Sequence, residues 1–393
     1  MSLLKRVEPS DVRRPAKPAV DSAALGDAAS VIDDIRGRGE PAVRAQAERF
    51  SERAAGEPLL LDQSAMADAR AALDDDDRAL LERTAKRVRA FADAQRSAIS
   101  DTAIDVLGGR AGHTVEPIRR AACYAPAGGY PLPSSVLMTA VTARAAGCEN
   151  VRVVSPGANP VMLAAASVAG ADEFLALGGA HAVAVCALGL PGIERDDVFV
   201  GPGNKWVTAA KQILSSEIGI DMLAGPSELL VLADRTAPPA IVAADLLAQA
   251  EHDPDATPVL VTTNGELAER VDAELAAQLE TLPTAGIARR ALENGFCVVA
   301  PSLEAAVGVV DTLAPEHLEI LTEDAEAVGQ RVRNAGALFL GEASAEVLGD
   351  YGAGPNHTLP TGGTARFQGG LSVIHFLRLR TWLSVEPGVS GEL

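Results

Sequence analysis

Apolar and polar positions follow a helical pattern through the N-terminal part of the chain. Apolar residues recur three and four positions apart, most clearly in residues 41–55 and 64–94, which is typical of amphipathic helices. Helix-breaking residues then follow Leu107 at Gly108, Gly109, Gly112 and Pro117. We therefore predict a helical region over residues 1–105, followed by short strands around Tyr124.

From about residue 134 the chain alternates between Ala-rich helical segments and short apolar segments. The predicted helices cover residues 134–146, 160–168, 180–187, 204–215 and 239–252. The predicted strands cover residues 151–154, 173–176, 198–200, 229–232, 259–262, 297–300, 319–321 and 337–340. This alternation predicts parallel sheets covered by helices on both faces, and so many strands favour two α/β sheet domains.

Composition and charge narrow the class of protein. With 393 residues, of which 48% are hydrophobic and 22% charged, the chain resembles an ordinary globular protein rather than a collagen-like, disordered or coiled-coil one. We find no apolar stretch of about 18 residues and no secretory signal in residues 1–14. A net charge of −19 disfavours nucleic acid and anionic membranes as partners. The cysteines are scattered, so free thiols in the cytoplasm are expected.

The helix predicted over residues 239–252 ends with an amide and an imidazole side chain. Gln249 and His252 are three positions apart and share one helix face, and Pro254 ends the helix. A histidine nitrogen together with a carboxamide oxygen is a partial metal site. The alternative is a polar C-terminal turn in which His252 lies near the negative end of the helix.

A carboxylate and an imidazole are adjacent at Glu316 and His317, directly before a predicted strand. Glutamate can activate water and histidine titrates near neutral pH, so the pair suits proton transfer. Loops that border a parallel sheet often line a ligand crevice. The alternative is a helix-to-strand loop with two solvated polar side chains.

Two kinds of loop are further candidates. Residues 349–360 combine Gly, Asp, Asn, His and Tyr, and Asp350 is a candidate cation ligand there, although a turn-rich surface loop is the alternative. Gly/Pro segments at 126–129, 201–204 and 224–227 allow a ligand to approach the backbone closely. Segment 201–204 follows a strand and opens a helix, where free N–H groups favour phosphate. The usual nucleotide fingerprints are absent from the sequence, and tight turns explain each segment equally well.

Six motifs occur in an order that resembles the histidinol dehydrogenase family. They are Tyr124-Ala-Pro-Ala-Gly-Gly, Gly201-Pro-Gly-Asn-Lys, Asp221-Met-Leu-Ala-Gly-Pro-Ser-Glu, Gln249-Ala-Glu-His, Pro315-Glu-His-Leu-Glu and Gly354-Pro-Asn-His-Thr-Leu-Pro-Thr. Each motif alone is weak, but six in order with the family's spacing are specific. The resemblance extends from about residue 25 to residue 377.

The resemblance implies an α/β fold with two incomplete Rossmann-like parallel-sheet domains, a helical N-terminal region and a short C-terminal tail. The expected parts are an N-terminal arm (1–24), a first α/β domain with the metal and acid/base residues (25–123 and 227–360), a second, nucleotide-binding domain (124–226) and the tail (361–393). Members of the family are cytoplasmic homodimers that use Zn²⁺ and NAD. They oxidise L-histidinol through the aldehyde to L-histidine, the last steps of histidine biosynthesis.

The matched motifs also imply roles for individual residues. His317 corresponds to the base that takes the alcohol proton, and Glu316 to the group that activates water for attack on the aldehyde. The implied metal ligands are Gln249, His252 and Asp350, with zinc orienting the substrate. The implied substrate-binding residues are Ser227, Gln249, His252, His317, Asp350 and His357, and the implied cofactor-binding residues are Tyr124, His181 and Asn204.

Two features depart from the family's pattern. His181 stands where the family usually has glutamine, which alters the implied cofactor contact. The chain also stops at Leu393, before the segment that supplies a substrate-contacting glutamate and a zinc-ligating histidine in the family. A fourth zinc position is therefore expected to be open or filled by His357, water or substrate. Two alternatives stay open: a relative that oxidises another small alcohol, such as a sulfonated diol, and a truncated NAD- or metal-binding remnant of low or no activity.

Overall fold

The chain divides into two units, each built around its own six-stranded sheet. The computed structural model describes residues 2–14, 20–127, 130–350 and 352–389. Unit 1 comprises residues 1–21, 222–351 and 359–370, and unit 2 comprises residues 22–221, 352–358 and 371–393.

The strands and helices are numbered in chain order. The strands are β1 Lys5–Val7, β2 Leu60–Leu61, β3 Thr102–Val106, β4 Gly109–Pro117, β5 Arg120–Tyr124, β6 Asn150–Val154, β7 Glu173–Leu175, β8 Val198–Val200, β9 Gly219–Ile220, β10 Glu228–Ala233, β11 Thr257–Thr262, β12 Phe296–Val299, β13 His317–Leu321, β14 Ala337–Leu340 and β15 Leu377–Val385. The helices are α1 Ser22–Arg38, α2 Glu40–Arg49, α3 Gln63–Ala72, α4 Asp75–Ser97, α5 Pro133–Ala146, α6 Pro160–Ala169, α7 Gly179–Leu188, α8 Lys205–Leu214, α9 Pro239–Ala250, α10 Gly265–Leu279, α11 Ala285–Leu292, α12 Leu303–Leu313, α13 Ala325–Gly329 and α14 Val347–Asp350.

The sheet of unit 1 is parallel throughout, with the strand order β1-β12-β11-β10-β13-β14. Successive side chains of a strand face opposite sides, so both faces of this sheet are apolar. On one face Leu229 and Val231 pack with residues of α9, α10 and α11. On the other face Leu230 and Leu232 pack with residues of α12 and α13. The apolar strand segments in the sequence therefore form a sheet covered on both sides.

The sheet of unit 2 has the strand order β2-β7-β6-β5-β8-β9, and only its short edge strand β2 runs antiparallel to its neighbour. The chain passes from β5 to β6 and β7 on one side, and then returns to place β8 on the other side of β5. The crevice at such a reversal, beyond the carboxyl ends of the strands, is the usual ligand site of open α/β sheets.

The predicted alternation of helices and strands is confirmed. Helices α5 to α9 and strands β6, β7, β8, β10 and β11 occupy the predicted segments, with boundaries that agree within two residues, whereas the short edge strand β9 was not predicted. The buried helix α5 ends where Gly147 adopts φ +101° as its C-cap, a conformation that favours glycine. Among the helices of the described residues, none has both the length and the apolar character needed to span a bilayer.

The N-terminal helices belong to unit 2, which differs from the predicted domain boundaries. Residues 25–123 were expected to join residues 227–360. Instead α3 and α4 pack against α6 and α5, α1 packs against α8, and β2 pairs with β7. These contacts place the N-terminal helices in the same unit as residues 124–221. Helical periodicity shows that a helix has an apolar face but not which element that face packs against.

A three-stranded antiparallel sheet in unit 2, with the order β15-β4-β3, was not predicted. Strand β15 pairs with β4 from Leu377 opposite Pro117 to Val385 opposite Gly109. Most side chains of β15 stay exposed, so no apolar face in the sequence marked this strand. Strand β1 also lies in the region predicted to be helical, and it forms by pairing with the edge of β12.

Candidate functional site

The predicted acid/base and metal residues gather at the amino edge of the unit 1 sheet. Ser227 precedes β10 and Glu316 precedes β13, and these parallel strands are neighbours in which Leu229 pairs with His317. Helix α9 follows β10 and returns across the sheet, so its last turn, with Gln249, ends near the same edge. Ligands of open α/β sheets usually bind at the carboxyl edge, so this site lies at the opposite edge.

Glu316 is a buried carboxylate held by two hydrogen bonds. The residue is 7% exposed, and Oε2 accepts from Ser227 Oγ at 2.6 Å and from the Glu228 backbone N–H at 2.9 Å. Burial raises the pKa of Glu316 to about 7, although these hydrogen bonds act in the opposite direction. A carboxyl group that titrates near neutral pH can both accept and release a proton during a reaction.

His317 is a buried imidazole whose tautomer is set by its neighbours. Nδ1 lies 3.0 Å from the Glu228 carbonyl oxygen, which can only accept, so Nδ1 carries the hydrogen and Nε2 is the basic nitrogen. Nε2 lies 3.3 Å from Oε1 of Glu346. Burial raises the pKa of Glu346 to about 7. Sequence reasoning missed Glu346, since only its position four residues before Asp350, at helical spacing, connects it with a predicted site residue.

Gln249 supports the prediction of a ligand at this edge. It is 1% exposed, and neither its Oε1 nor its Nε2 has a hydrogen-bond partner among the described residues. An amide that is buried without a partner destabilises the fold by about 1–3 kcal/mol, so the geometry suits an oxygen donor that meets its partner when a ligand binds.

His252 and Asp350 lie around Glu316, where the Asp350 charge raises and the His252 charge lowers the pKa of that carboxyl group. His252 is exposed beyond the end of α9, and Asp350 is half-buried at the end of α14. Within the described ranges, no three His, Cys, Asp or Glu side chains are close enough together to hold a metal ion. The predicted set contains only two residues of those types, because its third predicted ligand is the amide of Gln249. Amide oxygen, imidazole nitrogen and carboxylate oxygen are all donors that zinc accepts.

A cavity of about 470 Å³ in unit 1 does not include these residues. Its polar lining residues are Asp11, Arg13, Glu228, Asp255, Thr257 and Thr361, and the rest of the lining is glycine and apolar side chains. The predicted acid/base and metal residues therefore lie outside this cavity.

In unit 2 the predicted cofactor residues Tyr124 and Asn204 flank the strand-order reversal. Tyr124 is the last residue of β5 and is buried, and Asn204 lies between β8 and α8, where its Oδ1 accepts from two backbone N–H groups of the first helical turn. Gly201 has φ +117°, and a Cβ there would lie 2.1 Å from the Tyr124 carbonyl oxygen. The close approach of these two segments thus requires glycine.

His181, also a predicted cofactor residue, lies in the first turn of α7 and is 2% exposed. Its Nε2 lies 2.7 Å from Oε2 of Glu52, and its ring stacks on Phe50 with an interplanar angle of 3°. Sequence reasoning missed Glu52, which lies in a different part of the chain within the N-terminal helical region and has no motif around it.

His357, predicted to bind substrate, belongs to unit 2, whereas the other predicted substrate residues belong to unit 1. Its Nε2 lies 3.3 Å from the Ser135 hydroxyl of α5. The neighbouring Asn356 donates from Nδ2 to the Met138 carbonyl oxygen at 2.8 Å. These contacts anchor the segment of residues 352–358 on α5.

Comparisons with known proteins agree on one family. A family model described as histidinol dehydrogenase matches residues 16–392. A histidinol dehydrogenase of Thermus thermophilus is 43% identical over 378 residues, which are 96% of this chain and 89% of that protein. One of Halobacterium salinarum is 45% identical over 365 residues, 91% of this chain and 85% of that protein. The crystal structure of histidinol dehydrogenase from Elizabethkingia anophelis has 32% identity and a TM-score of 0.91, and the match covers 100% of this chain and 93% of that one.

Proposed function

Because the chain belongs to the histidinol dehydrogenase family, and is an oxidoreductase of that type, we propose that it oxidises L-histidinol through the aldehyde to L-histidine with NAD and Zn²⁺. The observation that carries the proposal is the buried Glu316–His317 pair beside the unpartnered amide of Gln249. The pair supplies two groups that can move protons, and the amide supplies an oxygen donor for a bound ligand.

His317 removes the proton from the alcohol in the first step. Its Nδ1–H is held by the Glu228 carbonyl oxygen, which leaves the Nε2 lone pair as the acceptor. Glu346, 3.3 Å from Nε2, stabilises the imidazolium that forms. The hydride acceptor for the substrate carbon would be supplied by NAD when it is bound.

Glu316 acts in the second step, in which the aldehyde is hydrated and the hydrate would be oxidised by hydride transfer to a second NAD. Its carboxylate takes a proton from the water that attacks the aldehyde carbon. The hydroxyl of Ser227 and the N–H of Glu228 hold Oε2, so the second oxygen, Oε1, is the one directed to water. In this assignment Ser227 contacts the base and affects the substrate through it.

Gln249, His252 and Asp350 are the residues that would hold the zinc ion. When bound, the ion would orient the substrate, so that the alcohol carbon would stay in place through both steps. The protein part of this arrangement is the buried amide at the end of α9 and the carboxylate at the end of α14.

The experiment that tests the proposal is NADH formation from L-histidinol, followed at 340 nm with added Zn²⁺ and again with a chelator. We expect zinc-dependent turnover with two NADH per histidinol. Glu316→Gln should still yield the first NADH, with the aldehyde trapped by semicarbazide. The rate of formation of the second NADH should fall by about a hundredfold. His317→Ala should lose both steps. Glu326→Gln, on the exposed surface of α13, is the matched control and should behave as the wild type.

Each other result has a defined meaning. If folded, zinc-loaded protein gives no turnover with L-histidinol, the substrate assignment is wrong, and small alcohols such as sulfonated diols become the candidates. If the protein binds neither zinc nor NAD, an inactive remnant is indicated. Unchanged kinetics in both Glu316→Gln and His317→Ala would overturn the acid/base assignment.

We also propose a homodimer located in the cytoplasm. The dimer follows from family membership, and light scattering that gives the monomer mass would contradict it. The location is supported by the four cysteines, all of which are free and buried, as expected for a reducing compartment. Fractionation of cells that produce the protein tests the location.

A further inference from the structure

A buried acidic residue lies across the carboxyl edge of the unit 2 sheet. The Glu52 side chain is 8% exposed, and its Oε2 lies 2.7 Å from Nε2 of His181. A Cβ added at Gly178, which follows β7, would lie 2.8 Å from Glu52 Oε1. A Cβ at Gly157, which follows β6, would lie 3.6 Å from the Glu52 carbonyl oxygen. Glu52 therefore covers the ends of β6 and β7, next to the strand-order reversal at β5.

In an open α/β sheet that binds a dinucleotide, an acidic side chain that contacts the ribose lies at this position. In such sheets the strand beside the first nucleotide strand is followed by Asp or Glu, which accepts a hydrogen bond from the ribose of the adenosine half. Here β6 is that strand, and residues 155–159, Ser-Pro-Gly-Ala-Asn, contain no acidic side chain. Glu52 lies in the segment between α2 and β2, and its carboxylate reaches the same edge although this segment does not follow β6 in the chain.

We propose that Glu52 binds a ribose hydroxyl of the adenosine half of NAD and that His181 positions the Glu52 carboxylate. The same carboxylate excludes a dinucleotide with a 2′-phosphate. This inference rests on the proposed use of NAD. It adds a binding residue outside the motifs, and it gives His181 the role of a positioning residue rather than of a direct cofactor contact.

The contacts explain how the carboxylate is held for this task. The His181 Nε2–H donates to Oε2, which leaves the lone pairs of Oε1 to accept a hydroxyl hydrogen. The ring of Phe50 stacks on the imidazole, with centroids 6.0 Å apart, and fixes its plane. A phosphate dianion at the 2′ position would meet the carboxylate at short range in a site with little water, where repulsion between like charges is strong.

The test compares NAD and NADP binding by isothermal titration calorimetry, without substrate. The wild type should prefer NAD, and Glu52→Gln should narrow the NAD/NADP affinity ratio by about tenfold, since one charge-assisted hydrogen bond and the repulsion are lost together. His181→Ala should shift the ratio in the same direction. His181→Gln should restore it, because the amide can still donate to Oε2. Glu57→Gln removes the same charge from an exposed position of the same segment and should leave the ratio unchanged.

The outcomes separate this inference from the proposed function. If the wild type binds NAD and turns over L-histidinol, but folded Glu52→Gln keeps the wild-type ratio, Glu52 has no role in binding and the inference is wrong. If the wild type binds neither dinucleotide, both the inference and the use of NAD are wrong. Should Glu52→Gln fail to fold, as judged by its melting temperature, the comparison of His181→Ala with His181→Gln decides, and equal ratios in those two variants would refute the inference.

Discussion

Glu319 should make the stability of unit 1 fall as the pH rises. The residue lies on the interior strand β13 and is fully buried, and its carboxyl group lies against the acidic side chain of Asp245. Burial, and then the negative charge of Asp245 on α9, raise the pKa of Glu319 well above its ordinary value. The carboxyl group is therefore protonated in the folded chain at neutral pH and ionised in the unfolded chain.

The magnitude follows from proton linkage. Between the ordinary pKa of a glutamate and the raised value in the fold, the folded state binds one more proton than the unfolded state. Stability is then lost with rising pH at about 1.4 kcal/mol per pH unit. From pH 5 to pH 7 this single group lowers the free energy of unfolding by about 3 kcal/mol. Glu319→Gln removes the titration, so its stability should fall less steeply over this range.

The assay is urea unfolding followed by circular dichroism at several pH values between 5 and 8. Intrinsic fluorescence would report on the wrong unit, because both tryptophans, Trp206 and Trp382, belong to unit 2. Other buried carboxyl groups of unit 1 contribute to the slope in both proteins, so the difference between the two slopes reports Glu319 together with Asp245, whose titration is linked to it. Glu326→Gln, an exposed change in the same unit, should run parallel to the wild type. Parallel curves for Glu319→Gln as well would refute the reasoning.

Three further predictions test other parts of the molecule. Glu346→Gln should lower kcat for L-histidinol by about tenfold and alter its pH profile, because the imidazolium loses a charged neighbour; an unaltered profile would exclude this role. Gly201→Ala should abolish NAD binding by calorimetry or lower the melting temperature, because a Cβ would lie 2.1 Å from the Tyr124 carbonyl oxygen; normal binding by a fully stable variant would contradict the close approach. Asp196→Ala should lower the free energy of unfolding by about 3 kcal/mol in urea, since fully buried Arg152 loses one of its acidic partners; a loss below about 1 kcal/mol would show that the pair adds little.

The strands and helices of the two parallel sheets were readable from the sequence because their signal is local. A buried parallel strand is apolar along its whole length. The helices that cover it end at recognisable capping residues, such as Gly147 after α5. By contrast, β15 and β1 are defined by their pairing partners, and most of their side chains remain exposed or half-buried. The assignment of α3 and α4 to unit 2 likewise depends on packing, which hydrophobic period alone does not reveal.

The candidate site shows the same division. The motifs in the sequence identified the family and predicted Gln249, His252, Glu316, His317 and Asp350 as site residues, because their residue types and spacing carry their chemistry. Only the tertiary structure decided that these residues share the amino edge of one sheet, that Glu346 contacts His317, and that Glu52 reaches His181. Partners such as these are distant in sequence and are selected by hydrogen bonding and burial in the fold. Burial also shifts the pKa of Glu316 and Glu346 to about 7, since the loss of water around a carboxylate depends on what packs over it and not on its neighbours in the chain.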